Sequence, residues 1–375
     1  MTQRYVEAQG SGRAPGRSQA GRHSLGGPAD VPVGRGASLS PNQRAWARFK
    51  RNRLGYLSLW LFGVLLVLTT FAELISNDRP LVARYDGKLY FPLFHNPPET
   101  TFGGDFATET DWKDPLLGAN FSKPGNWALF TVNPHSARSQ NYFQKAPSPS
   151  APGPENWLGT EGDGRDMIAK LIYGFRVSIW FAFALTLVGT LLGVLAGAFQ
   201  GYFGGRIDLF LQRIFEIWGA VPELYLLIIF ASIFEPSLLL LLLLLSLWGW
   251  LGLSDYVRAE FLRNRNLEFV KAARALGLSN AQIIRRHVLP NSLTPVITFL
   301  PFRMSGAIIA LTSLDFLGLG VPQTVPSLGD LLRQGKANLD AWWIIFPTFA
   351  VLVVTMLLLT FIGDALRDAF DTRKS

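Results

Sequence analysis

Apolar residues in this chain gather into long unbroken runs, and polar residues collect between them. Leu238 to Leu245 is a solid leucine block, which leaves no polar face and so cannot be the surface helix of a soluble protein. A first apolar run covers roughly Leu54 to Leu74. Further runs cover about residues 177–199, 209–233, 237–256, 293–314 and 341–363. Each approaches the length of about 20 residues that carries a helix across the hydrocarbon layer. The pattern predicts an all-α integral membrane protein with six transmembrane helices. Residues 1–43 are rich in Gly, Ser, Pro, Ala and Arg without an apolar period, which predicts a disordered arm. The polar stretch 76–176 predicts a large insert after the first helix, with Leu89–Tyr90–Phe91 and Leu93–Phe94 as a short strand.

Charge orients these spans. Arg44, Arg48, Lys50, Arg51 and Arg53 precede the first run, a basic anchor that predicts a cytoplasmic N-terminus. A cleaved signal peptide fits poorly, because the run begins late, is too long and lacks a small-residue cleavage site. Six crossings then place the insert outside and the C-terminus inside. The segment Arg258 to Pro290, between the fourth and fifth runs, carries Arg258, Arg263, Arg265, Lys271, Arg274, Arg285 and Arg286 against Glu260 and Glu268, the sign a cytoplasmic segment requires. The formal charge of +8 is thereby accounted for on the cytoplasmic face and does not call for nucleic acid. Arg165, Lys170 and Arg176 lie on the outer side, where a long translocated loop weakens the charge rule.

The same basic segment holds the strongest local pattern. Ala272, Ala273 and Ala275 favour helix and allow close approach. Gly277 is placed to end that helix at positive φ. Ser279 and Gln282 have capping-box spacing, and Leu278 and Ile283 have the spacing of the hydrophobic staple around it. Pro290 and Pro295 bracket the junction to the fifth span. Two short helices joined by a specified turn make a rigid knob at the membrane face, suited to transmit force from a soluble partner.

This segment resembles the EAA motif of ABC-importer permeases, matching at Ala272, Ala273, Gly277, Leu289 and Pro290. Lys271 stands where an acidic residue is usual, and His287 where Ile is common. The ending is similar to the oligopeptide/dipeptide (OppC/DppC-like) branch. So are Leu158–Gly159–Thr160–Glu161 with Gly164–Arg165–Asp166, Phe316–Leu317–Gly318–Leu319–Gly320 with Asp315 in place of Ser, and Gly363–Asp364 through Arg367–Asp368 to Asp371. The insert from Phe91 to Pro115 further resembles Yej-type subunits, associated with uptake of peptides and the peptide-nucleotide antibiotic microcin C. The resemblance implies a type I importer permease of the bacterial inner membrane, moving oligopeptides or peptide-like solutes. Its implied partners are a homologous second permease, two cytoplasmic ATP-binding subunits or one fused tandem ATPase, a periplasmic peptide-binding protein and membrane lipid. Lys271, Ala272, Ala273, Gly277, Leu278, Ser279, Leu289 and Pro290 are then the residues that couple to the ATPase. The implied domains are the arm 1–43, the anchor and first span 44–75, the periplasmic insert 76–176, a five-helix core 177–363 containing the coupling segment 258–290, and a cytoplasmic tail 364–375.

Chemistry within the spans is sparse. Glu216 and Glu223 lie in the third run and Arg303 in the fifth. A charge at mid-bilayer costs about 2.5–3.5 kcal/mol on insertion scales, so these should face protein or water. They are candidates to line the path, or to pair (Arg213–Glu216, or Arg303 with a carboxylate) and fix packing. Asp208, Gln212 and Glu216 share a helix face. Glu161, Asp163 and Asp166 lack the full calcium-loop spacing. His23, His95, His135 and His287 are scattered, no G-x-S-x-G occurs, and the chain contains no cysteine, so protease, esterase and thiolate-metal readings lose their support. No phosphate loop of the form G-x-x-x-x-G-K-[S/T] occurs. The chain is thus not expected to be an enzyme or to bind a cofactor or metal itself; ATP and Mg would sit on partner ATPase subunits. A membrane scaffold whose outer domain binds a partner, and a gated channel, remain as alternatives.

Overall fold

The computed structural model describes residues 40–140 and 147–371. Most of the expected arm 1–43 falls outside them, but its last residues open helix α1 (Pro41–Arg51). This helix turns Ala45 and Phe49 inward and leaves Arg44, Lys50 and Arg51 exposed. Asn52 then accepts a hydrogen bond from the Gly55 amide at 3.1 Å, capping α2 (Arg53–Thr70). The long insert that follows is not helical throughout. It contains β1 (Val82–Tyr85), β2 (Lys88–Tyr90), α3 (Pro115–Phe121) and β3 (Trp127–Leu129), and the strands form an antiparallel sheet in the order β2-β1-β3. The all-α expectation is corrected here. Asp86 and Gly87, at φ 48° and 75°, form the tight turn that joins β1 to β2, as an Asp-Gly pair does in hairpins. Behind the sheet, Phe102 is fully buried among the rings of Tyr85, Tyr90, Trp112 and Phe121.

The insert is fastened to the helical bundle by Asp166. Its carboxylate caps α4 (Met167–Phe203) by accepting from the Ala169 amide at 2.8 Å, and it also accepts from Asn133 at 2.8 Å and Asn156 at 2.9 Å. That work, and not a cation loop, explains the acidic residue at this position. Nearby, Glu161 is fully buried, 3.9 Å from Arg165, and burial pushes its pKa up. Because Asp166 provides the cap, the second long helix starts at Met167 rather than at 177. Its 37 residues span about 55 Å at about 1.5 Å per residue, well beyond the hydrocarbon layer of about 30 Å.

The expected third and fourth spans are each bent. The third is α5 (Gly205–Gly219) followed by α6 (Glu223–Ile233), at 59°, and the fourth is α7 (Leu238–Trp248) followed by α8 (Leu251–Asn264), at 40°. Then come α9 (Glu268–Ala275), α10 (Asn280–Ile283) and α11 (Leu289–Phe316). Pro290 and Pro295 do not break the chain between them. A π-helical turn over Ile284–Val288 carries α10 into α11. Pro290 falls in the first turn of α11, where a missing N–H costs least. Finally α12 (Leu328–Ala337) precedes α13 (Trp342–Phe370), which runs past the expected boundary at 363. Among the described residues four helices are long and apolar enough to cross a membrane, or six spans if each bent pair counts as one.

The deepest packing joins α4 to α8. Gly189, Gly193, Gly197 and Gly201 recur every fourth residue and form one stripe on α4. A Cβ on Gly193, Gly197 or Gly201 would lie 2.9, 2.4 and 2.6 Å from the carbonyl oxygens of Trp250, Ser254 and Arg258. The two helices therefore meet backbone to backbone, the contact that small residues permit in lipid. Gly197→Leu should overpack this seam and cost upward of about 2 kcal/mol. Thermal unfolding of the purified protein in detergent should show a clear loss for Gly197→Leu and none for Gly63→Leu, where the Cβ position is open.

Candidate functional site: coupling segment and membrane cavity

The segment after α8 folds as a knob. At the end of α9 the Gly277 amide donates to Arg274 O at 3.0 Å and the Leu278 amide to Ala273 O at 3.2 Å. With Gly277 at φ 78°, this is a Schellman motif. Space around Gly277 is open, so the turn needs glycine for its backbone angle and not for room. Ser279 then opens α10 with a full capping box shared with Gln282. Leu278 and Ile283 complete the staple, Ile283 buried and Leu278 packed beside it.

The knob has two faces. Val270, Ala273, Ile283 and Val288 are buried against Ala198, Leu253, Val257 and Phe261. Lys271, Ala272, Arg274, Ala275, Ser279 and Pro290 face outward, with Leu276 80% exposed and Leu289 half-buried. The alanines grouped together by sequence thus divide: Ala273 serves the fold, while Ala272 and Ala275 are presented. Lys271 pairs with Glu268 at 2.8 Å, but both are largely exposed, and such a pair contributes little.

Polar ties anchor the knob to the bundle. Tyr202 donates to Asn280 Oδ1 at 2.8 Å, Arg265 to Tyr202 O at 3.0 Å, and Asn264 to Ser292 Oγ at 2.9 Å. One turn further into the bundle, Arg258 of α8 holds Asp208 of α5 through two bonds of 2.5 and 2.8 Å. Gln200 of α4 donates to Gln212 at 2.8 Å. The predicted face of Asp208, Gln212 and Glu216 therefore splits. The first two turn inward, and Glu216 pairs on the surface with Arg213 at 2.5 Å. In the sequence Arg258 stands out only as one of the orienting charges. Nothing local in the sequence names its partner across the fold.

Glu223 and Arg303 come together as the third candidate, Glu216, does not. Both line a cavity of about 300 Å³ with Leu185, Thr186, Leu245, Gly249, Gly306, Ala307 and Ala310. The cavity lies where both bent pairs break: Glu223 follows the break at Pro222, and Gly249 forms the break after α7. Arg303 donates to the carbonyl oxygen freed at Gly249 at 2.8 Å. The expected Arg303–carboxylate pair is absent among the described residues, and the Thr186 hydroxyl also lacks a partner.

Long apolar helices, two bent pairs and a basic, capped knob after α8 make this a membrane protein. The chain belongs to the family of binding-protein-dependent transport system inner membrane components, whose model matches residues 189–375, and the N-terminal domain model of oligopeptide transport permease C matches residues 40–98. It is thus a multi-pass inner-membrane permease subunit of an ABC importer, a transport subunit and not an enzyme. The Inner membrane ABC transporter permease protein YejE of Escherichia coli (strain K12) is 48% identical over 338 residues, covering 90% of this chain and 99% of that protein. The Peptidoglycan transport system permease protein YejE of Agrobacterium fabrum is 46% identical over 357 residues, covering 89% and 93%. The Dipeptide transport system permease protein DppC of Alkalihalophilus pseudofirmus is 35% identical over 239 residues, covering 63% and 78%.

The Asp208–Arg258 pair should act as a unit. Asp208→Ala leaves a half-buried guanidinium unpaired and should destabilise by about 1–3 kcal/mol, while adding Arg258→Met should restore part of that loss. Thermal melts of the two single variants and the double variant measure the coupling. A double variant whose loss equals the sum of the two single losses would mean that the two side chains act independently.

Proposed function

We propose that this chain is the permease subunit of an importer that moves oligopeptides or peptide-like solutes across the inner membrane, driven by ATP hydrolysed on partner subunits. The relatives named for dipeptide and peptidoglycan transport support a solute class defined by its peptide portion, within which microcin C-type compounds fall. The observation that carries the reading is the knob: one face locked into α4 and α8, the other exposing Ala272, Ala275 and Leu276 with no structural duty in this chain. In this reading both termini are cytoplasmic, the insert is periplasmic, and the knob docks in a cleft of an ATPase. Lys271, Ala272, Gly277, Leu278, Ser279, Leu289 and Pro290 form or frame the docking turn, and Ala273 seats it. Two ATP-binding subunits or one fused tandem ATPase, a second permease and a periplasmic binding protein complete the assembly. ATP draws the ATPases together, the knobs move with them, and the path opens to receive solute. Each partner shifts that equilibrium only by its differential affinity for the two states.

Two measurements test this. Gly277→Val forces a β-branched residue into the left-handed region at about 1–2 kcal/mol. Peptide-stimulated ATPase activity of the assembled complex in liposomes should fall severalfold while assembly persists; unimpaired stimulation would remove the knob from the mechanism. The chain has no cysteine of its own, so Asn280→Cys provides a single label. An impermeant maleimide should leave it unmodified in intact spheroplasts and react after lysis, and labelling from outside would invert the proposed orientation.

A further inference from the structure

The cavity between the two helix breaks holds one carboxylate, of Glu223, and one guanidinium, of Arg303, neither in an ion pair among the described residues. Arg303 spends one Nη2–H bond on Gly249 O. That bond orients the planar guanidinium but leaves its charge uncompensated, since a carbonyl is neutral. Thr186, 6% exposed, has a hydroxyl without a hydrogen bond, although a helical threonine ordinarily bonds the carbonyl one turn back. The remaining wall is apolar or glycine: Leu185, Leu245, Gly306, Ala307 and Ala310. A Cβ on Gly306 would meet nothing within 4 Å, so glycine there leaves space that the fold does not need.

Opposite charges that serve packing are normally paired, because isolation in a low dielectric is costly to both. Here the two stand in one open space of about 300 Å³, at the lower edge of the range of about 300–1,000 Å³ typical of ligand pockets. We propose that this cavity is a station for a short zwitterionic peptide, which sets its terminal carboxylate on Arg303 beside Thr186 and its terminal ammonium on Glu223. The proposal rests on the importer reading above and adds the chemistry of what is recognised. A solute with only a negative group would satisfy Arg303 and be repelled by Glu223, and a cation would meet the reverse. A molecule carrying both charges compensates both residues at once. Guanidinium and carboxylate also match in geometry, through parallel N–H···O bonds. A long extended peptide can present only one end at a time, so the station favours short chains.

The test uses the complete complex in proteoliposomes, with its ATPases, second permease and binding protein. Uptake of trialanine is compared with its C-terminal amide and its N-acetyl form, in wild type, Arg303→Gln and Glu223→Gln. Any preference of the binding protein for free termini enters every arm equally and cancels in the ratios. Amidation should cost the wild type about tenfold more than it costs Arg303→Gln, and acetylation should cost it about tenfold more than it costs Glu223→Gln. Each variant should relieve the penalty at its own terminus and keep the other. Should either variant fail to assemble, Arg303→Lys and Glu223→Asp keep the charges but alter reach and geometry. Both penalties should then persist at reduced size. Identical penalties in wild type and in every assembled variant, with trialanine still transported, would overturn the zwitterion station while leaving the importer standing. Absence of ATP-dependent uptake of any peptide by the wild type would overturn both.

Discussion

The close approach of α4 and α8 governs the rest of this molecule. In hydrocarbon, apolar side chains gain little by leaving lipid for protein, so helices associate through packing and through the polar groups they can share. The glycine stripe of α4 removes the side chains that would hold the helices apart. Its first member, Gly189, lies beside Arg303 and the Gly249 carbonyl, and its last, Gly201, beside Arg258 and Phe261. One stripe therefore runs from the cavity to the base of the knob. Helix α8 joins the same two places, starting just after the break at Gly249 and ending at Asn264, which bonds the foot of α11.

That arrangement ties the knob to the interior of the bundle. The knob is not a loop that can shift alone, because Ile283 and Val288 are buried with Val257 and Phe261 of α8. Asp208 and Arg258 extend the hold to α5, the helix that leads to the Pro222 break and Glu223. A displacement of the knob must strain or carry α8 and α5 together, and each of those helices leads to a break at the cavity wall. At the bend between α7 and α8, the helix terminus leaves the Gly249 carbonyl to be satisfied by Arg303.

How much of this was legible depended on the range of the interaction. Long apolar runs are local, and they fell on the four long apolar helices and the two bent pairs. The knob is also local: Gly277, Ser279, Gln282 and the staple at Leu278 and Ile283 are short-range rules, and the structure follows them. The sheet in the insert was only half legible. The expected strand over Leu89–Tyr90–Phe91 with Leu93–Phe94 ends at Tyr90, and residues 92–94 form a turn, while the hairpin signal Asp86–Gly87 lies amid polar residues. The early start of α4 was signalled by Asp166, read as part of a family motif and not as a helix cap. The glycine period of four was written in the sequence but is masked by the surrounding hydropathy. The bends in the third and fourth spans escaped because hydropathy reports length in lipid and not direction. The pairing of Asp208 with Arg258 joins residues 50 apart in the chain, where no spacing rule reaches.

Lys271 shows how a departure from a family pattern can be weighed. Its neighbours in the fold ask nothing of it: it is exposed, and its bond to Glu268 is a surface pair on one helix turn. Any constraint on its charge must therefore come from outside this chain. Arg274, Arg285 and Arg286 are exposed on the same segment, so a basic residue at 271 extends a positive surface where an acidic one would interrupt it. Clustered charge of one sign acts chiefly on encounter and on the choice of partner, and much less on the stability of the docked state. The exposed apolar patch of Ala272, Ala275 and Leu276 is separate from that charge. In the docking proposed above, the charge at 271 would act on that encounter and not on the fold of the knob.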